Sequence, residues 1–395
     1  MKQKLLISTS GFPLYENDGE SQFMLEYAKS LRSDFDVFVL APKTKDSKVH
    51  EIWDGINVFR HKQSPIFNIQ LAYKSGIMGN IKRNPLLVLM VPIFILMQIA
   101  ATYKLVKKLN IDLINAHWIF PQGLSTGMMK LFGFKIPYIL TVHSGTFWHF
   151  GKFPYKILRD FSLKKASAVT CVSKALQRAV LHVKKNNVFH LPLGINLKLF
   201  DPNYKNHQLV KELELENKKV ITFVGTMVDT KGVNQLIRAL PDIVSTFPES
   251  ILLMIGEGKN LNQLKQYTHS NNLQSHVIFT GKIEHSKIPD FLSVSHLLCI
   301  PSLMEGFPMV VKEAMASEVL VLASKLPVFK SEPELEKVIF YVPKVEERLL
   351  SEKIIEIITN IDGFNERKKM GRKFIEDNAN WKDLAQQFKV ISENL

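Results

Sequence analysis

The sequence has few of the features that mark secreted, fibrous or disordered proteins. Only 2 of its 395 residues are cysteine, and Cys171 and Cys299 each lie within an apolar, strand-like run. This usage excludes a disulfide scaffold and indicates buried thiols in a reducing compartment. The N-terminal apolar run spans only a few residues, so we expect a first β-strand there and not a signal peptide. Internal repeats and low-complexity tracts are absent as well, which argues against a solenoid or a disordered chain.

Two kinds of ligand signature are also missing. The pattern G-x-G-x-x-G does not follow the first predicted strand, which argues against an NAD-dependent Rossmann enzyme. Neither zinc-ligand spacing nor a motif of interleaved aromatic and basic residues occurs, so we expect no nucleic-acid partner.

Acidic residues are scarce in the first half of the chain. Residues 1–200 contain 27 Lys and Arg against 11 Asp and Glu, and Asp160 is the only acidic residue between 113 and 200. The remaining residues are nearly balanced, with 24 basic and 26 acidic side chains. A basic half suits an anionic surface, and we expect an anionic membrane surface as the partner. The alternative is that the charge only keeps the protein soluble.

The length and the order of patterns predict two domains. A chain of 395 residues is too long for one ordinary hydrophobic core, and 46% hydrophobic with 22% charged residues is typical of a folded protein. Strand, helix and strand patterns follow one another at 4–8, 20–31 and 36–40, as in a Rossmann-like half. A second series begins with the strand predicted at 220–224. The sequence therefore predicts an α/β fold.

Residues 85–103 (PLLVLMVPIFILMQIAATY) form the most apolar stretch, and basic residues flank it on both sides. Its length is near the lower limit for a transmembrane span. Three interpretations stay open: a helix buried in the first domain, an interfacial helix that dips into a membrane, and a true span. Pro92 and Gln98 argue against an undisturbed span.

Two carboxylates stand out in the stretch 301–324. Glu305 and Glu313 are eight residues apart, after a strand predicted at 295–300 and around the start of a helix predicted at 308–317. The N-terminus of such a helix binds anions, because its free N–H groups point outward. Two carboxylates beside an anion site predict a ligand with a phosphate in the middle and hydroxyl groups on either side, as in a nucleotide-sugar. The alternative is a helix start with two solvated glutamates.

Other candidate residues follow predicted strands, at the edge where open α/β sheets bind ligands. His143 comes directly after the strand predicted at 137–142, and His117 lies in a His-Trp-x-x-Pro-x-Gly turn. In the second half, Lys231 lies in the loop 225–232 (GTMVDTKG), and a Gly-x-Gly follows the strand predicted at 251–255.

Together these segments resemble the retaining sugar-nucleotide glycosyltransferases of family 4. The resemblance rests on the E-x7-E spacing of Glu305 and Glu313, on the turn 192–196 (PLGIN), on Thr141-Val142-His143 and on Lys231-Gly232. It covers nearly the whole chain from residue 4. It implies the GT-B fold, in which two Rossmann-like domains face each other across a cleft.

The resemblance also implies roles for individual residues. Glu305 is expected to contact the donor sugar, Glu313 the ribose, and His143 the donor sugar and the leaving diphosphate. His117 is expected on the acceptor side. Lys231 is expected to bind the diphosphate. Further donor-binding positions are implied for Gly19, Thr226, Gly256, Gly258, Gly306, Phe307 and Pro308.

Some positions depart from the family pattern. Thr226 stands where the family has the arginine of its diphosphate clamp, Glu20 replaces the usual second glycine of the first loop, and Glu318 lies in an altered turn after the helix. A threonine supplies a hydroxyl group in place of a guanidinium, so these changes concern the diphosphate half of the site.

The resemblance implies an acceptor-binding domain at 1–204, a nucleotide-sugar-binding domain at 205–377, and a C-terminal helix at about 378–395 that packs back on the first domain. The implied reaction is transfer of a sugar to a glycan or lipid-linked acceptor, with retention of configuration and without a metal or another cofactor. The implied setting is synthesis of a bacterial surface polysaccharide at the cytoplasmic face of the membrane. The alternative is a catalytically weak homologue that acts as a partner subunit or ligand-binding module.

Overall fold

The computed structural model describes residues 2–15, 18, 21–65, 70–72, 76–143, 147, 151, 153–305 and 307–395. The chain divides into two compact units. The first unit comprises Met1–Gly194 and Trp381–Leu395, and the second comprises Ile195–Asn380. Each unit is an α/β structure built on one largely or wholly parallel sheet, as the sequence predicts.

The sheet of the first unit has the strand order β3-β4-β2-β1-β5-β6-β7-β8, in which only β3 runs antiparallel to its neighbour among the described residues. Its strands are buried and rich in branched apolar residues, as in sheets covered on both faces. The strands are β1 (Gln3–Ser8), β2 (Phe35–Pro42), β3 (His50–Trp53), β4 (Ile56–His61), β5 (Leu113–His117), β6 (Tyr138–Val142), β7 (Ala168–Cys171) and β8 (Val188–His190).

Helices connect these strands and cover the sheet. They are α1 (Gln22–Ser30), α2 (Gly76–Arg83), α3 (Val91–Leu109), α4 (Leu124–Leu131), α5 (Tyr155–Lys165) and α6 (Lys174–Leu181). A 3₁₀ helix, Pro85–Met90, leads into α3, and a π-helical turn, Ile119–Gly123, leads into α4. The side chain of Ser173 caps α6 by accepting a hydrogen bond from Leu176 N–H.

The second unit has a parallel sheet with the order β11-β10-β9-β12-β13-β14. Its strands are β9 (Lys219–Val224), β10 (Ser250–Ile255), β11 (Val277–Gly281), β12 (Leu297–Ile300), β13 (Leu320–Ser324) and β14 (Phe340–Val342). Its helices are α7 (His207–Glu212), α8 (Val233–Thr246), α9 (Leu261–Ser270), α10 (Ile288–Ser293), α11 (Met309–Ala316), α12 (Pro327–Lys330), α13 (Glu347–Thr359) and α14 (Asn365–Asn378). The strand order reverses between β9 and β12, and in the first unit between β1 and β5. Open α/β sheets bind ligands at such points.

The last helix, α15 (Trp381–Glu393), belongs to the first unit. Its Phe388 packs on Tyr27 and Phe35, with ring centroids 6.0 and 5.7 Å apart. Gly194 lies against its first residue, since a Cβ atom at 194 would come within 2.3 Å of Trp381 Cδ2. Only glycine fits this close approach, which gives the turn 192–196 a structural reason for its glycine.

The units meet in sequence at 194 and 380, whereas the predicted boundaries are 204 and 377. Residues 195–204 belong to the second unit because their backbone forms hydrogen bonds with other residues of that unit. Ile195 N–H donates to Ala379 O at 2.8 Å, and Phe200 O accepts from Arg372 Nη1 at 2.7 Å.

Among the described residues, one helical segment, Pro85–Leu109, is long and apolar enough to cross a membrane by length and composition. It is not a fully buried helix, because only 22% of its most apolar segment is buried. Phe94, Gln98 and Val106 pack inward. Leu89 and Leu96 are 70% and 61% exposed on the other side.

Candidate active site

In the second unit, the loops after β9 and β12 bring Lys231 and Glu305 together. Lys231 ends a 3₁₀ turn, Asp229–Lys231, and its Nζ forms an ion pair with Glu305 Oε1. Ser302 Oγ donates to the same carboxylate oxygen at 2.8 Å. A backbone bond from Leu303 N–H to Thr230 O, 2.8 Å long, ties the two loops. The predicted sugar contact, Glu305, and the predicted phosphate contact, Lys231, are thus neighbours.

Glu313, the predicted ribose contact, lies five residues into α11 and is paired with a histidine. Its Oε1 is 2.7 Å from His285 Nε2, and its side chain is 5% exposed. The Glu305 side chain is 11% exposed. These values exclude the alternative of two solvated glutamates. A buried carboxylate needs partners, and the pairings with Lys231 and His285 supply them.

The helix start between the two glutamates is only partly described. Pro308 is the N-cap residue of α11, so the helix begins at Met309, one residue after its predicted start. Phe307 packs on Phe329, with ring centroids 5.6 Å apart. Lys312 Nζ lies 5.0 Å from the centre of the Phe307 ring. Burial lowers the pKa of Lys312 to about 7. Two predicted donor-binding residues, Gly19 and Gly306, lie outside the described residues.

The remaining predicted donor residues lie at the ends of β9 and β10. A Cβ atom at Gly256 would lie 2.1 Å from Gly225 O, and one at Gly258 would lie 2.3 Å from Met227 O. The Gly-x-Gly therefore lets two loop backbones touch, which gives it a structural role independent of any ligand. Thr226, in the loop between, is exposed.

In the first unit, the two predicted histidines contact each other. His117 ends β5, His143 follows β6, and parallel pairing places His117 opposite Thr141. His117 Nδ1 is 3.0 Å from His143 Nε2. Burial lowers the pKa of His143 to about 3, and burial together with the neighbouring His143 lowers the pKa of His117 well below its usual value. Both rings are therefore neutral at physiological pH.

Polar and aromatic side chains hold this histidine pair. His117 Nε2 is 2.8 Å from Asn115 Oδ1, and the Tyr27 hydroxyl donates to the same oxygen at 2.7 Å. Trp118 stacks on His143, with ring centroids 4.7 Å apart and an interplanar angle of 30°. The φ of Trp118 is +71°, which non-glycine residues rarely adopt. Residues in such conformations are concentrated at functional sites.

Sequence reasoning missed four residues of these clusters: His285, Ser302, Asn115 and Tyr27. Asn115 could have been predicted from the sequence, because it lies two residues before His117 in the same strand and such residues point to the same face of a sheet. His285 and Tyr27 had no such signal, since each reaches its partner from a distant part of the sequence. Within the described residues, no group of three or more His, Cys, Asp or Glu side chains is placed to hold a metal ion.

Two family models match the chain. One, described as Glycosyltransferase Family 4, matches residues 18–199, and the other, described as Glycosyl transferases group 1, matches residues 205–389. Together they cover both units of the structure.

Individual proteins give the same result. The putative teichuronic acid biosynthesis glycosyltransferase TuaC of Bacillus subtilis is 29% identical over 218 residues, which are 54% of this chain and 53% of TuaC. The UDP-Gal:alpha-D-GlcNAc-diphosphoundecaprenol alpha-1,3-galactosyltransferase of Escherichia coli is 27% identical over 237 residues, 57% of this chain and 60% of that enzyme. The chain thus matches little more than half the length of these curated relatives.

The fold has a counterpart among solved structures. Sucrose-phosphate synthase from Thermosynechococcus elongatus superposes with a TM-score of 0.80 and 20% sequence identity, over 100% of this chain and 99% of that one. The predicted GT-B architecture is confirmed. The chain belongs to glycosyltransferase family 4.

Proposed function

We propose that this glycosyltransferase moves a hexosyl group from a nucleotide-diphosphate sugar to a glycan or lipid-linked acceptor, with retention at the anomeric carbon. The observation that carries the proposal is the arrangement of Lys231, Glu305 and Glu313. Lys231, the half-buried Glu305 and the buried Glu313 lie around the start of α11, where the strand order of the second unit reverses.

In the proposed reaction, the bond between the anomeric carbon and the diphosphate oxygen breaks, and a bond from an acceptor hydroxyl oxygen forms. The hydroxyl proton passes to the released diphosphate. Lys231 and the N–H groups at the start of α11 stabilise the charge on the departing group. Glu305 accepts hydrogen bonds from the sugar hydroxyls and Glu313 from the ribose. Phe307, Pro308 and Thr226 complete the part of the donor site that the second unit contributes, and no metal takes part.

The relatives support the substrate classes. The Escherichia coli relative is named for a UDP-sugar donor and a diphosphoundecaprenol-linked acceptor, and the Bacillus subtilis relative for teichuronic acid synthesis. We therefore propose a UDP-sugar donor, a lipid-linked acceptor, and a role in a bacterial surface polysaccharide at the inner face of the cell membrane.

Release of nucleoside diphosphate from a panel of nucleotide-sugars, with lipid-linked acceptors present, tests this function. We expect turnover with at least one donor, and a loss of about 100-fold or more in Glu305→Gln, since one lost interaction with the transition state has effects of that size. Glu366→Gln, whose side chain is 82% exposed in α14, is the matched control and should behave as the parent protein. The anomeric configuration of the product, read by proton NMR, tests retention.

The exposed Thr226 favours the alternative of a catalytically weak homologue. Without an arginine at position 226, Lys231 is the one side-chain cation that the described residues of the loop after β9 present to the diphosphate. Calorimetry with the same donors separates the two. Donor binding without turnover would support the ligand-binding module, and absence of both would contradict the enzyme proposal.

We also propose that the segment Pro85–Leu109 lies in the membrane interface. Its exposed apolar residues include Leu86 and Leu89, which are 73% and 70% exposed. Exposed basic residues flank them at both ends: Lys82, Arg83, Lys104, Lys107 and Lys108. Apolar side chains between basic ones are typical of interfacial helices that bind anionic lipid.

Co-sedimentation with vesicles of anionic phospholipid tests this surface. Replacing Lys104, Lys107 and Lys108 by glutamate should abolish binding at physiological salt, because each basic residue near such a surface contributes about 1 kcal/mol. The control makes the same charge change in the second unit, at the exposed Lys344, Lys369 and Lys373. Equal losses in both variants would show a nonspecific charge effect and contradict the proposal.

A further inference from the structure

Lys312 is a buried lysine in α11, between the two glutamates of the candidate site. It is 4% exposed, although lysine is rarely buried to this degree. The Cα–Cβ bonds of a helix tilt toward its N-terminus, so a lysine near the start of α11 directs its amine to the helix start. Its Nζ accordingly lies 5.0 Å from the centre of the ring of Phe307, which precedes the N-cap residue Pro308.

The helix start is an unfavourable place for a cation. It carries the positive end of the helix dipole, which disfavours a nearby ammonium group. Burial lowers the pKa of Lys312 to about 7, while the charge of Glu332 acts in the opposite direction. Charged and neutral forms of the amine are therefore both populated near neutral pH. A further negative charge at the helix start would shift this balance toward the ammonium form.

Few other charges in the described part of the chain face α11. The elements that pack against it are α14, β12 and β13, and the two strands contain no charged residue. Arg372 of α14 donates to Ala316 O at the opposite end of α11. Glu332, in the segment after α12, is 6% exposed. Two further charged pairs lie around the helix start: Lys231 with Glu305, and His285 with Glu313.

We propose that Lys312 is a positioning residue of the donor site, which takes up a proton from solvent when the donor diphosphate binds at the start of α11. As an ammonium group it holds Phe307, a predicted donor-binding residue, by the face of its ring and adds positive charge at the helix start. This inference rests on the proposed function and extends it, because it couples donor binding to protonation of a buried side chain. The structural alternative is that Lys312 only fastens α11 to the segment that contains Glu332.

The first experiment titrates Lys312 directly. In the full chain labelled with ¹³C-lysine, the ε-carbon shift reports protonation, and the loss of one signal in Lys312→Met assigns it. Without nucleotide we expect a midpoint at about pH 7. With a saturating nucleoside diphosphate, tested as UDP, ADP and GDP in turn, the midpoint should rise by about one pH unit or more, because an opposite charge lies nearby. A midpoint near the ordinary lysine value of about 10 in the protein without nucleotide would overturn the proposal whether or not the chain is an active transferase.

Calorimetry measures the coupling to binding. At about pH 8, where an amine with a pKa of about 7 is mostly neutral, the heats of nucleotide binding in buffers of different ionisation enthalpy give the number of protons taken up. We expect about half a proton or more per bound nucleotide with the parent protein, and loss of that uptake in Lys312→Met. Lys337→Met makes the same change at an exposed lysine of the second unit and should keep the parent uptake.

The outcomes of this experiment separate the two proposals. Binding with equal proton uptake in all three proteins would overturn the role of Lys312 and leave the proposed function intact. Absence of binding by every nucleoside diphosphate would overturn the proposed function, and this inference with it.

The pH profile of turnover supplies the third measurement. Lys312→Arg keeps its charge at every pH used, whereas Lys312→Met has an unbranched side chain without charge. With the parent protein, kcat/KM for the donor should fall as the pH rises above about 7. That fall should be absent in Lys312→Arg, and Lys312→Met should be about tenfold less active at the acid end of the profile, with no such fall. A loss of activity with an unchanged pH profile in both variants would show a purely structural role and overturn the proposal.

Discussion

The two units have sheets of the same kind but place opposite chemistry at the strand ends. In the first unit, neutral histidines, an asparagine and a tyrosine form a chain of hydrogen bonds. In the second unit, the corresponding edge carries the pairs Lys231–Glu305 and His285–Glu313. Net charge shows the opposite distribution: the basic excess lies in residues 1–200, although the charged site residues lie in the second unit. Net charge therefore reports the surface of a domain and not the character of its site.

The largest expected difference between the units is in acid stability. Burial lowers the pKa of His61 to about 4 and of His143 to about 3 in the first unit, and it also lowers the pKa of His117. In the second unit, among the described histidines, the pKa of His296 is lowered to about 4. A depressed imidazole pKa means that the unfolded state binds more protons, so stability is complete above about pH 6.5 and is lost as the pH falls toward 3 to 4. Each such group therefore destabilises the folded state at the acid end.

Tryptophan fluorescence can follow the first unit alone, because all 4 tryptophans lie in its sequence. As the pH falls below about 6, we expect fluorescence to change before circular dichroism shows loss of the remaining structure. Coincident transitions would contradict this difference between the units.

Lys231→Ala should sharpen the comparison by removing the one side-chain cation placed beside Glu305 among the described residues. We expect kcat/KM to fall about 100-fold or more, with stability little changed, because the loss concerns the departing diphosphate. Lys259→Ala is the matched control, since Lys259 is 67% exposed and pairs with Asp229 on the same loop. Similar losses in both variants would show that general loop charge, and not this pair, matters.

His285→Gln should have a smaller effect that is confined to donor binding. Its imidazole faces Glu313, so we expect the donor KM to rise about three- to tenfold with kcat nearly unchanged, the pattern of uniform binding. The exposed His269→Gln, in α9, serves as the control. A fall in kcat at constant KM would assign His285 to the chemical step instead.

Thr226→Arg is expected to have the smallest effect, and it tests whether an added positive charge in the loop after β9 improves donor binding. An arginine there can bind phosphate through two hydrogen bonds, so we expect the donor KM to fall by about two- to fivefold. Thr226→Gln, of comparable length without charge, controls for side-chain size. An unchanged KM would indicate that the loop after β9 does not face the diphosphate.

Much of the fold follows from the sequence, because buried parallel strands are continuous apolar runs. The strands predicted at 4–8, 137–142 and 251–255 match β1, β6 and β10 closely. The hairpin of β3 and β4 was missed, although Asp54 and Gly55, with φ of +46° and +76°, form the short turn that an Asp-Gly pair favours.

The candidate site was predictable only in part. Local spacing places Glu305 and Glu313 around one helix start, and both lie there. The contact between His117 and His143 depends on the register of β5 against β6, which no single-strand pattern contains. The pairing of Lys231 with Glu305 likewise requires two loops that are 74 residues apart in sequence.

The packing of α15 on the first unit has a consequence for synthesis of the chain. Trp381 and Phe388 back Tyr27, whose hydroxyl holds Asn115 beside His117. During translation, residues 195–380 are made before α15. The second unit can therefore fold while the first unit still lacks the helix that covers part of its core. A chain truncated at residue 380 would therefore contain the whole second unit and a first unit without the helix that backs Tyr27.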